Sequence, residues 1–203
     1  MFDDLPPIPE PSAPLQATAG SPLAHLSRDE QWVLLAAVLA WTGRPRSWMV
    51  TVLAEFGARD AAGRRFSAEA VQLQVRSLAH TGWLIDVPLR MGYWQVAAER
   101  RTVVYLAALA THGRPALRRV LTAALRFDES RPGGWLHFND IDGAAALVRL
   151  EAFGGVPMEE VQRLKEYCRY GVTWDEVQRA ALLADLDTIL FDRLEPAVQR
   201  RIL

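Results

Sequence analysis

Apolar positions along the chain take up helical spacing after a proline-laden opening, switch to two short strand-like runs near residue 84, and then return to helical spacing. The opening, MFDDLPPIPEPSAPLQATAGSP over residues 1–22, holds six of the twelve prolines and no sustained period, so it is expected to be a disordered tail that buries no core face. Within it, Phe2, Leu5 and Ile8 are the positions a docking motif would use. Order begins at Ser27, where SRDE has the form of a capping box: the Ser27 hydroxyl accepts from the Glu30 amide and the Glu30 carboxylate reaches back. QWVLLAAVLAW is apolar on nearly every side and predicts a helix wrapped by other elements, ending at Gly43. SWMVTVLAEFG predicts a second helix with Ser47 as its cap and Gly57 as its stop. ARDAAGRRF then reads as an arginine-bearing loop, with 64–66 as a short strand.

Ser67 caps a third predicted helix whose inner positions are Val71, Val75 and Leu78, spaced by four and then three residues, and Gly82 ends it. WLIDV and YWQVA are rich in β-formers and flank PLRMG, so a β-hairpin follows at once, with Trp83 and Trp94 facing each other across it. From Thr102 the helical pattern returns in TVVYLAALAT, PALRRVLTAALRF, DGAAALVRLEAFGG, PMEEVQRLKEYCRY and TWDEVQRAALLADLDTILFDRL. Pro157 suits a first helical position, and Thr173 with Glu176 forms a second capping box. The expected fold is mainly α: three helices plus a hairpin over 23–101, then an antiparallel helical array over 102–203, with no strict repeat period.

A chain of 203 residues, half of them apolar, can bury a sizeable core. The longest apolar run, residues 32–41, is well short of the roughly 20 positions a membrane span needs, and the N-terminus lacks a basic-then-apolar signal. A cytoplasmic protein with no membrane partner is expected. The single Cys168 has no disulfide partner and no metal-ligand spacing, which makes it a small buried residue in a helix. The net charge of -1 conceals a segregation that does change the picture. Residues 59–126 carry eleven arginines against four acids, a local charge of +7, whereas 127–203 carry nine bases against fourteen acids, a local -5. Only the middle of the chain attracts a polyanion through its own charge.

Three helices followed directly by a hairpin is the order of a winged helix-turn-helix. Residues 67–97, with Val71, Val75, Leu78, Gly82, the apolar strand, Gly92 in the loop and the aromatic return strand, resemble the third helix and wing of MarR-like and ArsR-like bacterial regulators. The resemblance covers residues 27–99. About ten residues separate the second and third helices, where a tight helix-turn-helix uses three or four. The resemblance implies an N-terminal winged helix whose third helix enters the major groove of double-stranded DNA. Opposite its core face lie Glu69, Gln72, Leu73, Arg76 and His80. In the major-groove code Gln72 suits adenine, Arg76 guanine, and Glu69 a cytosine amino group. Arg90 at the wing tip and Arg59, Arg64 and Arg65 in the preceding loop would meet phosphates.

A solvated helix face accounts for the same stripe without a ligand: Glu69 near the helix start favours the dipole, and exposed Leu73 suits a protein partner better than a base edge. Two functions therefore stand. One is a DNA-binding regulator, or an accessory region of a larger bacterial nucleic-acid machine, in which the later helices form a homodimer or hold a partner. The other is a scaffold that docks proteins through the winged helix and the acidic array. The end, LDTILFDRLEPAVQRRIL, stops in mid-pattern, as the front part of something longer would.

Arg114, Arg118 and Arg119 form a second basic cluster, either an extended phosphate track or a solvated face. LHFNDID places His137, Asp140 and Asp142 where a cation would fit, but capping by Asn139 or Asp140 explains them more cheaply. Glycine-rich phosphate loops, HExxH, GxSxG and paired catalytic carboxylates are missing from the sequence, so no enzyme, metal or cofactor is expected.

Overall fold

The computed structural model describes residues 14–15, 21–127, 138, 140–169, 171–184 and 186–202. Its first regular element is a short 3-10 turn, Pro22–His25, leading into α1 (Arg28–Ala40). The Ser27–Glu30 capping box closes as expected, with the Ser27 amide donating to Glu30 Oε2 at 2.8 Å and the Glu30 amide to Ser27 Oγ at 3.2 Å. Every residue of α1 from Trp32 onward is buried, as an all-round apolar helix must be.

The helix ends before Gly43, because Trp41 turns the chain at φ 64°, ψ -51° and the Thr42 amide donates back to the Ala40 carbonyl at 2.7 Å. This is a γ-turn with a positive φ, a strained geometry that persists where surrounding contacts fix it. Here the Trp41 indole is held by the guanidiniums of Arg101 and Arg149, whose Cζ atoms lie 5.3 and 4.5 Å from its centroid.

The turn feeds β1 (Arg44–Pro45), a strand the apolar pattern does not predict, and then α2 (Arg46–Glu55). Ser47 is not the cap of α2: the N-cap is Pro45, extended at φ -70° and ψ 159° because β1 pairs there, and no side chain caps the helix. The expected strand at 64–66 reduces to a single bridge between Arg59 and Arg65. α3 (Ala68–His80) follows, capped by Ser67. β2 (Leu84–Asp86) and β3 (Tyr93–Val96) form the predicted hairpin, and β1 adds to its other side to give an antiparallel sheet of order β1-β3-β2. Trp94 stands opposite Asp86 and Arg44, whereas Trp83 precedes β2 and packs under Arg100 at 4.4 Å. The two tryptophans therefore do not face each other.

α4 (Ala98–Leu125) is broken at Gly113, whose φ of 71° and ψ of 154° leave the helical region. The break separates the two helical patterns read from the sequence and puts Pro115 in the first turn of the second, where its missing amide costs least. α5 (Ile141–Phe153) is capped by Asp140. α6 (Met158–Val161) has Pro157 as its N-cap and runs into a 3-10 turn, Gln162–Tyr167, so PMEEVQRLKEYCRY is not one regular helix. TWDEVQRAALLADLDTILFDRL is likewise divided, into α7 (Trp174–Leu182) and α8 (Thr188–Phe191). Asp187 makes the division: its carboxylate accepts from the Leu190 amide at 2.9 Å and starts a new helix. α9 (Pro196–Ile202) completes the described chain.

The protein is mainly helical, with one small sheet among the described residues. α4 packs on α1, α2 and α5, and α5 packs on α7, so one buried cluster extends from Leu15 to Val198. Residues 101 and 102 lie inside α4. The opening stretch does contribute to the core, contrary to expectation: Leu15 is 2% exposed, and the Pro14 carbonyl lies 2.7 Å from His112 Nε2. Phe2, Leu5 and Ile8 lie outside the described residues. Among the described residues no helix is long and apolar enough to cross a membrane.

Candidate nucleic-acid interface

The orientation of α3 follows from its apolar spacing. Val71, Val75 and Leu78 are fully buried toward α1 and α2, and the Ser67 hydroxyl accepts from the Ala70 amide at 3.1 Å to fix the first turn. Ser77 fastens the same helix to α1 by donating to Glu30 Oε1 at 2.6 Å. Burial works against ionisation of Glu30, but the Ser77 and Ser27 hydrogen bonds outweigh it and hold the carboxyl below its ordinary value. These restraints leave the opposite stripe outward: Glu69, Leu73, Arg76 and His80 are exposed, and Gln72 is half-buried.

Gln72 is not a free amide, since its Oε1 accepts from Arg46 Nη1 at 3.3 Å. Arg46, at the start of α2, thus belongs to this face, a placement that no helical spacing signals because it comes from a different element. The same arginine helps hold the Glu69 carboxyl below its ordinary value, after the larger contributions of the residue's own amide and the Ser67 hydroxyl. Glu69 is accounted for by the helix start, as the ligand-free reading has it. Arg76 has neither hydrogen bond nor ion pair among the described residues, and neither does Leu73 a cover at 65% exposure.

The loop between Glu55 and Ala68 is built around Asp60. Asp60 Oδ1 accepts from the Ala62 and Arg64 amides at 3.0 and 2.8 Å, while Oδ2 takes the Arg64 guanidinium at 3.1 Å. The Arg64 amide is the chief reason that the Asp60 carboxyl lies below its ordinary value. Arg64 therefore arrives already matched to an acid, unlike the phosphate-seeking residue expected. Arg59 donates to the Gly63 carbonyl at 3.2 Å, and Arg65 points outward with no ion pair among the described residues.

The hairpin tip protrudes. Leu89, at φ 66°, and Met91 are fully exposed on either side of Arg90. Arg90 lies over the Tyr93 ring at 5.9 Å and is 57% exposed, with Nη1 3.6 Å from Asp142 Oδ2 in the first turn of α5. At the base, Arg44 pairs with Asp140 at 2.9 Å, and Gly43 sits so close to Val87 that a Cβ there would clash with Val87 Cγ2.

The second basic cluster serves the interior. Arg114 Nη1 lies 2.6 Å from Glu151 Oε2, and Arg118 bonds the other carboxylate oxygen of this buried acid. Arg119 alone of the three is exposed. That clamp turns Arg114 and Arg118 toward a buried acid, which is neither the phosphate track nor the solvated face expected. Asp140 caps α5 through the Gly143 amide and pairs with Arg44, so it is a structural anchor, and Asp142 meets Arg90 in a longer, exposed pair, while His137 and Asn139 lie outside the described residues. No group of metal-ligating side chains occurs among the described residues. Cys168 is half-buried, and burial pushes its thiol above the ordinary value.

The contacts thus join Gln72 and Glu69 of α3 to Arg46 of α2, while Arg59 and Arg65 stand in the loop that precedes α3 and Arg90, at the hairpin tip, lies against Asp142 of α5. Comparison with protein-family models, curated proteins and solved structures returns no match.

Proposed function

We propose that the chain binds double-stranded DNA as a winged-helix protein, in a regulatory role or as an accessory region of a larger nucleic-acid machine. The observation that carries this reading is the α3 face: an arginine without an acid partner among the described residues, beside a polar amide and a histidine, on a helix whose other side is anchored in the core. The sheet order supports it as well. The strand between α1 and α2 pairs with the hairpin that follows α3 and so braces the wing this reading needs.

In this reading α3 enters the major groove and Arg76 addresses guanine O6 and N7. Gln72 donates from Nε2 to adenine N7, and its Oε1, which already accepts from Arg46, has a second lone pair for the adenine amino group. Arg59, Arg65 and Arg90 meet phosphates and set the register without reading sequence. These three phosphate contacts give a slope of about -2.7 in log affinity against log salt. Fluorescence anisotropy with a labelled duplex at several salt concentrations tests the reading, with Arg76→Ala and Arg65→Ala compared. Arg76→Ala lowers affinity by about 1–3 kcal/mol and relaxes base preference, whereas Arg65→Ala weakens all duplexes alike. Salt-independent binding, or none, refutes it.

A second reading, a protein-docking scaffold, is favoured by one observation: Leu73 on α3 and Leu89 and Met91 at the hairpin tip are large apolar side chains left exposed. It predicts that Leu73→Ser abolishes capture of a stoichiometric protein partner while leaving duplex titrations flat.

A further inference from the structure

Two arginines from the sheet side converge on two carboxylates in one helical turn. Arg44 leaves β1 to meet Asp140, and Arg90 leaves the hairpin tip to meet Asp142. The pairs differ in how readily they exchange. The Arg44 side chain is only 16% exposed, and its partner also caps α5, so this pair fixes the hairpin base. The close approach of Gly43 to Val87 fixes the same region from the other side. The Arg90 pair is longer, at 3.6 Å, and both partners are open to water, 57% and 32% exposed. Pairs of this kind are weak, and a phosphate with several acceptor oxygens competes well for the arginine. Because the base is held, exchange needs only a rotation of the Arg90 side chain.

We propose that Asp142 is an intramolecular competitor for the phosphate-seeking arginine of the hairpin, so that α5 restrains DNA binding until a duplex phosphate displaces its carboxylate from Arg90. The proposal rests on the duplex-binding reading above. It makes the helical array a brake on the DNA-facing surface, acting through Asp142, while Asp140, which Arg90 also faces, stays committed to Arg44 and the α5 cap.

The test is a double-mutant cycle in the full chain: wild type, Asp142→Asn, Arg90→Ala and the double variant, titrated with a fluorescein-labelled 20-base-pair duplex at low salt. Asp142→Asn is expected to bind about two- to fivefold more tightly than wild type, the range an exposed pair supplies. In the Arg90→Ala background the same substitution changes nothing. Asp142→Ser gives the same gain and Asp142→Glu gives none, which separates charge from folding of the α5 first turn. If wild type binds but Asp142→Asn does not tighten binding, or tightens it equally without Arg90, the competitor role is overturned and the duplex reading survives. If none of the four binds, the duplex reading falls and takes the proposal with it.

Discussion

Glu151→Ala should destabilise the protein far more than its single charge suggests. The Glu151 side chain is 4% exposed and is clamped by Arg114, at 35%, and Arg118, at 26%. Removing one partner of a buried charge pair costs about 3–5 kcal/mol, because the remaining charge loses its compensation. Both arginines here reach water in part, which recovers some of that cost and places the expected loss nearer about 2–3 kcal/mol. For a chain of this length each kcal/mol lowers the melting temperature by roughly 2–4 °C, so a drop of about 5–10 °C is expected. Urea denaturation followed by tryptophan fluorescence measures the loss directly, with Glu151→Gln retaining part of it through hydrogen bonding. A change below about 0.5 kcal/mol, the level of an ordinary surface substitution, would refute the clamp and return Arg114 and Arg118 to the solvated face.

Three further outcomes follow from the same structure. Leu15→Ala should cost about 2–5 kcal/mol by thermal denaturation, as a core leucine does, whereas an unattached tail would show no change. Burial beside Trp32 and Phe56 holds the His112 ring below its ordinary value of 6.5, outweighing the Pro14 carbonyl contact. The folded state thus binds this proton less readily than the unfolded chain, so the contribution of His112 to stability is complete above pH 6.5 and is lost as pH falls below it. His112→Gln should flatten melting temperatures between pH 8 and pH 5. Leu89→Ser with Met91→Ser should stay within about 0.5 kcal/mol of wild type, since both side chains are fully exposed.

Local chemistry explains which features were readable in advance. Ser27 with Glu30, Ser67, Thr173 with Glu176, and the Gly113–Pro115 break are short-range signals, and each appears where the sequence places it. β1 left no trace because two residues carry no period and their pairing with β3 is non-local. Asp187 hid inside a continuous helical pattern, where a capping aspartate looks like any polar position. Leu15 had no periodic neighbours to betray its burial. The candidate site divides the same way. The exposed stripe of α3 is the complement of Val71, Val75 and Leu78, so it could be listed from spacing alone. The partners of its cations could not: Arg44 meets Asp140 across 96 positions, and Arg90, Arg114 and Arg118 find acids that only the packing of α4 and α5 brings near. Arg64 is the exception, since Asp60 stands four residues away and the loop encloses the pair.

Amide chemical-shift mapping of the isotopically labelled chain, on adding a short duplex, locates the contact surface residue by residue. Shifts confined to residues 68–80, 59–65 and 87–92 are the predicted result. An unperturbed spectrum, or shifts gathered on α7 to α9 with α3 unchanged, would contradict the DNA-facing role assigned to the third helix.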